Sequence, residues 1–213
     1  MQDNCAVSSS AARLLAQLAP SISDPRVLEA IAATPREAFL SGRQRRHAYD
    51  NSALPIDCGQ TISQPIVVGR MLELLELSGA ERVLDVGTGS GYHAALLARL
   101  SRWVFSIERH RQLSELARSA LASLAITNVT LTVGDGGEGV PEHAPYDAIN
   151  VAAAVGDEVP AALIEQLAPG GRLVAPVGGE EQYLVLLRRT PSGLQERRCD
   201  PVRFVPLVRR TPA

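Results

Sequence analysis

The amino-acid sequence predicts an α/β fold, with a doubly wound, mostly parallel seven-stranded sheet and an N-terminal helical addition. Segments of strand and helix character alternate from residue 82 to residue 178, which is the pattern of parallel strands joined by crossover helices. The chain has 213 residues, of which 46% are hydrophobic, and this suits one globular core. A glycine-rich turn follows the first strand of the alternation, at the sheet edge where open α/β folds bind ligands.

The N-terminal part predicts two helices after a polar tail. Residues 1–10 are small and polar, which favours a disordered tail. The leucines of residues 11–19 recur on one helical face. Residues 24–34 form the second candidate helix, because Asp24 can cap it and Pro25 suits the first helical position.

A long irregular segment separates these helices from the α/β pattern. Residues 43–63 show neither helical nor strand periodicity, and a loop of this length in a compact domain is usually functional or disordered. A third helix is predicted from Pro65, closed by Gly79. We therefore expect residues 1–64, the helices and the loop, to form one compact unit with the ligand-binding domain of residues 65–213.

From residue 82 onward the predicted elements alternate. Strands are predicted at residues 82–86, 103–108, 129–135, 146–154, 171–178, 181–190 and 194–208. Helices are predicted at residues 91–100, 111–124 and 159–167. This order favours a parallel sheet with helices on both faces.

Composition argues against several classes of protein. The formal net charge is −2, which favours neither a nucleic-acid nor a membrane surface. No apolar stretch approaches the roughly 20 residues that span a bilayer, and the start of the chain has no secretory pattern. No long apolar heptad pattern suggests a dimer, so we expect a monomer.

Cysteine and histidine usage points to no metal site. The three cysteines are widely spaced, which disfavours zinc and a disulfide framework and makes a reducing, cytoplasmic setting the default. The four histidines show no metal-ligand spacing. His93 lies in the first turn after the glycine run, and we expect its side chain to be solvated.

The stretch "LDVGTGSGYHA" is the strongest local signal for a ligand. It spaces Gly87, Gly89 and Gly91 at alternate positions after Asp85, and glycines let a ligand approach the backbone. A dinucleotide site requires G-x-G-x-x-G, but the residue three after Gly89 is Tyr92. The pattern D-x-G-x-G-x-G is the S-adenosylmethionine version, and the Asp85 carboxylate suits a cationic sulfonium. The alternative is a tight strand–helix turn without a ligand.

Two further acids follow the next two predicted strands. Glu108 ends residues 103–108, where a carboxylate can accept both hydroxyls of a ribose. Asp135 ends the third strand and is followed by Gly136, so it can receive an adenine amino group while the backbone stays close. Each acid taken alone is also compatible with a solvated charge or a turn residue. Acids at three successive strand ends together favour a nucleoside-containing cofactor.

The irregular loop carries a more specific resemblance. The segment "DNSALPIDCGQTISQP", together with "VLDVGTGSGY", "GDG" and the late "RFVPLV", closely resembles the protein-L-isoaspartate O-methyltransferases over nearly the whole chain. The resemblance implies the Rossmann-like fold of class I methyltransferases. It also implies methyl transfer from S-adenosyl-L-methionine to the free α-carboxylate of L-isoaspartyl residues in damaged proteins or peptides, which leaves S-adenosyl-L-homocysteine. The ester then cyclises without enzyme to a succinimide, which can reopen as normal aspartate.

The resemblance also implies roles for individual residues. Ser63 is the expected active-site hydroxyl, a donor that orients the acceptor carboxylate. The expected cofactor-binding residues include, besides the acids and glycines above, Gln60, Thr61, Ile62, Thr88, Arg109 and Gly136. A carboxylate with a pKa of about 3.5–4 is already ionised at neutral pH, so it needs no general base. The competing interpretation makes Ser63 the N-cap of the helix that begins at Pro65.

Small departures from the family keep other functions open. The stretch around residues 155–158 is one residue longer than in relatives, and Ile66 and Val208 replace His and Thr of some relatives. One alternative is a class I methyltransferase acting on a different carboxylate, a small molecule or another peptide. The other is a non-catalytic cofactor-binding module, against which the intact acids and glycines argue.

Overall fold

A computed structural model describes residues 9–208 of the chain. A seven-stranded sheet is its central feature, and a two-stranded hairpin lies in the loop before the third helix. The hairpin consists of β1 (Leu54–Pro55) and β2 (Thr61–Ile62), and the sheet of β3 (Arg82–Val86), β4 (Trp103–Glu108), β5 (Val129–Val133), β6 (Tyr146–Val151), β7 (Leu167–Val177), β8 (Gln182–Thr190) and β9 (Gly193–Val202). The α-helices are α1 (Ser9–Leu18), α2 (Pro25–Ala32), α3 (Pro65–Leu74), α4 (Tyr92–Leu100), α5 (Arg111–Ser123) and α6 (Ala161–Glu165).

The strand order of the sheet is β5-β4-β3-β6-β7-β8-β9. Neighbours from β5 to β7 pair in parallel, whereas β8 pairs antiparallel with both β7 and β9. The chain winds from β3 through β4 and β5 in one direction and from β6 in the other. β3 and β6 therefore flank the topological switch point, where open sheets bind ligands. The predicted fold class is confirmed.

The central strand β3 forms where the sequence predicts it. Val83, Leu84 and Val86 are fully buried, and β3 pairs in continuous register with β4 and β6. Side chains alternate between the two faces of a strand, so Val83 and Asp85 point to one face, and Leu84 and Val86 to the other. A parallel strand covered on both faces normally carries an uninterrupted apolar run. The buried Asp85 is therefore an exception with a local cause, described below.

Two hydrophobic cores cover the faces of the sheet. On one face, Leu14 and Leu18 of α1 belong to the same buried cluster as Val83 of β3 and Leu96 of α4. On the other face, Leu163 of the short helix α6 belongs to a second cluster. The N-terminal helices thus share a core with the sheet. Among residues 9–208, no helix combines the length and apolar character needed to cross a membrane.

Two predicted boundaries near the N-terminus shift in the structure. Of the predicted tail, residues 1–8 lie outside the described part of the chain, but Ser9 and Ser10 already belong to α1. The third helix ends at Leu74, earlier than its predicted end at Gly79. The chain turns at Glu76, whose φ of 47° lies in the left-handed region.

The boundary between the predicted helix 159–167 and the predicted strand 171–178 shifts in the structure. The helix α6 ends at Glu165, and β7 begins at Leu167. Leu167 already pairs with Tyr146 of β6, and the register then shifts so that Ala148 pairs with Arg172. This irregularity accommodates the extra residues of β7. Pairing with a buried neighbouring strand overrides the helical pattern of the sequence. The predicted strands 129–135 and 146–154 also end two or three residues early.

The last described residues leave the sheet. β9 ends at Val202, so residues 203–208 do not continue the predicted strand. The Ala154 N–H donates to the Val205 carbonyl at 2.8 Å, and the Leu207 N–H donates to the Ala154 carbonyl at 2.7 Å. Because residue 154 follows β6, these bonds carry the segment across the carboxyl edge of the sheet.

Candidate active site

The glycine loop, residues 87–91, joins β3 to α4 at the carboxyl edge. Gly87 and Gly89 have φ angles of 91° and 52°, which strain any residue with a Cβ, and both line cavities. Gly91 also has a φ of 91°, but a Cβ there would lie 2.9 Å from the Ala117 Cβ of α5. The structure thus gives Gly91 a role in helix packing, and its expected contact with a ligand stays a prediction.

Three cavities adjoin the glycine loop and the β1–β2 hairpin. We name them by their lining residues: the rim cavity (Gln60, Gly89, Glu108, Arg109, Gly136), the loop cavity (Ile62, Ser63, Thr88, Ser90, His93) and the outer cavity (Ser63, Gln64, Val67, Arg203, Phe204). Thr61 lines all three, and Gly87 lines both the rim and the loop cavity. A ligand along the glycine loop therefore reaches Ser63 from one side, and a second molecule in the outer cavity reaches it from the other.

Glu108 supplies the carboxylate of the rim cavity. Its side chain is buried, and its Oε2 accepts from the Gly89 N–H at 2.8 Å, while Oε1 accepts from the His110 N–H at 2.9 Å. These bonds fix the carboxylate against the glycine loop, and each oxygen keeps a free lone pair. The carboxylate is thus placed to accept a pair of hydroxyl groups, and ribose binding by Glu108 stays a prediction. Arg109 holds the C-terminal segment nearby through a 2.9 Å bond to the Val208 carbonyl.

Asp135 and Gly136 follow β5 beside the rim cavity. The Asp135 Oδ1 accepts from the Gly137 N–H at 2.9 Å, which is a turn-forming bond. Asp135 is absent from the lining of the three cavities, whereas Gly136 lines the rim cavity. A Cβ on Gly136 would lie 2.6 Å from the Val86 Cγ1, so only glycine fits here. The adenine contact expected for Asp135 stays a prediction.

Asp85 lies beneath the glycine loop and lines none of the three cavities. It is fully buried, and its carboxylate accepts from the Ser106 hydroxyl at 2.7 Å and from the Asn150 amide at 2.8 Å. Ser106 in turn lies 2.6 Å from the Thr88 hydroxyl, and Thr88 lines the loop cavity. The contact between Asp85 and a sulfonium that the sequence suggested stays a prediction. Asp85 acts on the cavity through Ser106 and Thr88.

Sequence reasoning missed the two strand residues that hold Asp85. Ser106 of β4 and Asn150 of β6 are both fully buried. A polar residue inside a strand that is otherwise apolar was the available signal, because buried polar groups require partners. Only the register of β3 between β4 and β6 shows that these two residues are the partners of Asp85.

We predict that Asp85→Asn raises the stability of the folded protein at pH 8. Burial raises the pKa of Asp85 to about 6, against the opposing effect of the bonds from Asn150 and Ser106. In an unfolded chain the pKa of this carboxyl is about 3.9. The folded state therefore binds the proton more tightly, and stability falls as pH rises from about 4 to about 6. Asparagine avoids this loss, because its amide can donate to Ser106, whose hydroxyl turns toward Thr88.

The measurement is thermal unfolding between pH 4.5 and pH 8. Avoiding this loss raises the free energy of unfolding of Asp85→Asn by about 1–3 kcal/mol, which corresponds to a Tm higher by roughly 5 °C at pH 8. The difference in Tm between the variant and the parent protein shrinks toward pH 4.5. Asp157→Asn, at an exposed position, serves as the control and leaves the Tm nearly unchanged. An Asp85→Asn protein less stable than the parent at pH 8 contradicts the prediction.

Ser63 is free of the capping role that competed with its catalytic role. The N-cap of α3 is Gln64, without a side-chain capping bond. Asn51 serves the helix start instead, since its Oδ1 accepts from the Ile66 N–H at 3.1 Å and its carbonyl accepts from the Gln64 amide at 2.9 Å. Among residues 9–208, the Ser63 hydroxyl makes no hydrogen bond. It is therefore available to a ligand in the loop or the outer cavity.

A buried arginine outside the predicted site organises the loop. Arg36 follows α2 and is fully buried, and burial lowers the pKa of its guanidinium. The guanidinium donates to the backbone carbonyls of Ala48 (2.7 Å), Asp50 (3.3 Å), Ser52 (3.1 Å) and Ser63 (3.0 Å). Four carbonyls from residues 48–63 thus converge on a side chain at least 12 residues away in sequence, and no local pattern in the sequence indicated this.

His93 differs from its sequence expectation. It was expected to be solvated, but it is buried, with 6% of its surface exposed, and it lines the loop cavity. The reason is that α4 is packed on nearly all sides: seven of its first eight residues are buried, His93 among them. Among the described residues, no group of three or more potential ligands is placed to hold a metal ion.

The outer cavity is the largest of the three. Its volume is about 540 Å³, against about 30 Å³ for the loop cavity. Arg203 is the charged residue of its lining, which contains no carboxylate among the described residues. An extended chain carrying a negative charge suits this cavity in size and in sign.

Comparisons with known proteins agree with this geometry. A family model described as protein-L-isoaspartate(D-aspartate) O-methyltransferase matches residues 10–212. The protein-L-isoaspartate O-methyltransferase of Koribacter versatilis is 52% identical over 188 residues, which cover 88% of this chain and 84% of the relative. The corresponding protein of Roseiflexus castenholzii is 53% identical over 189 residues, covering 88% of this chain and 86% of the relative.

Solved structures show the same likeness. A protein-L-isoaspartate O-methyltransferase matches with a TM-score of 0.83 and 32% identity, over 92% of this chain and 65% of that chain. The beta-aspartate methyltransferase of Plasmodium falciparum, in complex with S-adenosyl-L-homocysteine, matches with a TM-score of 0.81 and 25% identity, over 93% of this chain and 98% of that chain.

Proposed function

This chain belongs to the protein-L-isoaspartate(D-aspartate) O-methyltransferase family, and from that premise we propose its reaction. It transfers a methyl group from S-adenosyl-L-methionine to the free α-carboxylate of L-isoaspartyl residues in damaged proteins and peptides. The observation that carries the proposal is the position of Ser63. Its unpaired hydroxyl lies where the loop cavity and the outer cavity meet.

The residues around the rim and loop cavities fit the cofactor. Glu108 has two oriented oxygens for the ribose hydroxyls, and the glycine loop offers close backbone approach where a Cβ is excluded. Gln60, Thr61, Ile62, Thr88, Arg109 and Gly136 complete the proposed lining. When bound, the cofactor supplies a methyl group activated by a sulfonium leaving group.

The chain's residues then have little acid–base chemistry to perform. The acceptor carboxylate, with a pKa of about 3.5–4, is ionised at neutral pH and needs no general base. Ser63 donates a hydrogen bond to one carboxylate oxygen and leaves the other free to attack. Arg203 at the mouth of the outer cavity attracts the anionic peptide. Alignment of this kind can lower the activation free energy by several kcal/mol.

We also propose a cytoplasmic monomer in which residues 1–64 and 65–213 act as one unit. The shared core of α1 with β3 and α4 supports the single unit. The free thiols of Cys58 and Cys199 suit a reducing compartment.

The test is methyl transfer from labelled S-adenosylmethionine to an L-isoaspartyl peptide and to its normal aspartyl twin. We expect label in the isoaspartyl peptide alone, as an ester that is lost in mild alkali. Label in the aspartyl twin or in a small carboxylic acid instead points to a class I methyltransferase that acts on a different carboxylate. Cofactor binding without any transfer to these acceptors points to a binding module.

A further inference from the structure

One buried side chain of the loop cavity has an unused hydrogen-bonding atom. His93, in the first turn of α4, is buried, and its Nε2 has no hydrogen-bond partner among residues 9–208. The Val68 backbone carbonyl favours a proton on the same imidazole. A carbonyl only accepts, so this contact assigns the proton to Nδ1 and leaves Nε2 with a bare lone pair. Buried polar atoms without partners are rare in proteins and need a specific cause.

The imidazole is neutral in the folded protein at neutral pH. Burial lowers the pKa of His93 to about 4, although the nearby Val68 backbone carbonyl acts in the opposite direction. A neutral imidazole tolerates a neighbouring cation, and its Nε2 can only accept a hydrogen bond in this tautomer. The group that completes His93 is therefore a donor, and a cationic donor gives the strongest bond.

The loop cavity contains no carboxylate that competes for such a donor. Its lining, among the described residues, is formed by small, apolar and hydroxyl side chains besides His93. Asp85 lies one layer below and reaches the cavity only through Ser106 and Thr88. Its field favours a positive charge in the cavity, but Asp85 itself lines none of the three cavities. Of the residues that line the loop cavity, His93 is the one with a buried side-chain nitrogen that has no partner among the described residues.

The cofactor has three kinds of donor group. Glu108 would hold the ribose hydroxyls and the backbone near Gly136 the adenine amino group, both in the rim cavity. The amino-acid end would then follow Gly87 and Gly89, which line both the rim cavity and the loop cavity. The α-ammonium is the donor that would remain for the loop cavity.

We propose that Nε2 of His93 accepts a hydrogen bond from the α-ammonium of the cofactor's amino-acid end, which makes His93 a specificity-determining residue for that end. The inference rests on the proposed function for the identity of the cofactor. It assigns His93 no part in the chemical step, because the group lies on the cofactor side of Ser63.

The test compares two ligands in calorimetry: S-adenosyl-L-homocysteine and its analogue with hydrogen in place of the α-ammonium. A charge-assisted hydrogen bond predicts that the parent protein binds S-adenosylhomocysteine about 10- to 100-fold more tightly. In His93→Leu we expect this ratio to shrink at least about tenfold, with little change in affinity for the analogue. His93→Gln, which can present a carbonyl, retains part of the ratio. His143→Leu is the matched control, since that ring stacks on Phe105, and it leaves the ratio unchanged.

A measurement on the parent protein covers the case in which the buried substitution prevents folding. The ¹⁵N resonance of His93 Nε2 is expected to move upfield on addition of S-adenosylhomocysteine and to stay in place on addition of the analogue. An unchanged ligand ratio in folded His93→Leu, or an unmoved resonance, overturns the inference. Failure of S-adenosylhomocysteine to bind the parent protein at all instead counts against the proposed function.

Discussion

Replacing Arg36 by methionine is expected to lower the free energy of unfolding by about 3–5 kcal/mol and to abolish most methyl transfer. The substitution removes the donors of four loop carbonyls, among them that of Ser63. Each carbonyl left buried without a partner costs about 1–3 kcal/mol, although water can reach some of them. The loop that carries Ser63 then loses its fixed position.

Thermal unfolding and peptide methylation measure the two effects together. For a chain of this size the loss corresponds to a Tm lower by roughly 10 °C. Arg99→Met is the matched control, because Arg99 is exposed and makes one hydrogen bond, to Thr34; we expect it to cost under about 1 kcal/mol. Arg36→Lys keeps the charge but lacks the planar guanidinium with its several N–H donors, so it restores only part of the stability. Full stability and activity in Arg36→Met contradict the role assigned to this side chain.

Ser63→Ala is expected to reduce kcat for an isoaspartyl peptide by about 10²-fold or more, while affinity for S-adenosylhomocysteine changes little. The hydroxyl is unpaired in the protein and does not cap α3, so its removal leaves no buried group unsatisfied. The protein should therefore keep its stability and lose the donor that orients the acceptor carboxylate.

Steady-state kinetics with calorimetry separate these quantities. Ser119→Ala on the exposed face of α5, where the hydroxyl bonds only the Glu115 carbonyl, is the control and keeps the parent kcat. If Ser63→Ala turns over an isoaspartyl peptide at the parent rate, Ser63 has no part in the mechanism. If it loses stability instead, Ser63 holds the loop and its hydroxyl need not face the substrate.

The strands of the sheet centre were predictable because their causes are local. β3 and β4 begin and end at the predicted residues, since an apolar run closed by turn residues describes a strand buried on both faces. α6 and the end of β9 were not predictable to the residue. Their bounds depend on pairing with β6 and on the bonds of Ala154, which join segments distant in sequence.

The candidate site likewise has features that the sequence predicted and features that it did not. The glycine pattern and Glu108 were visible because a ligand site at a strand end constrains residue types in one short stretch. The partners of Asp85, the four carbonyls at Arg36 and the burial of His93 were not, because each depends on residues brought together from different strands and helices.

The sequence by itself determined the order of strands and helices, the glycine loop, the acid at the end of β4 and the likeness that named Ser63, since these are properties of continuous segments. Only the tertiary structure decided that Asp85 supports the loop from below, that Gly91 serves helix packing, that Asn51 releases Ser63 from capping and that His93 keeps a free acceptor. The physical reason is that burial and hydrogen-bond partners are set by packing between segments, and the demand of every buried polar group for a partner is met across the fold and not along the chain.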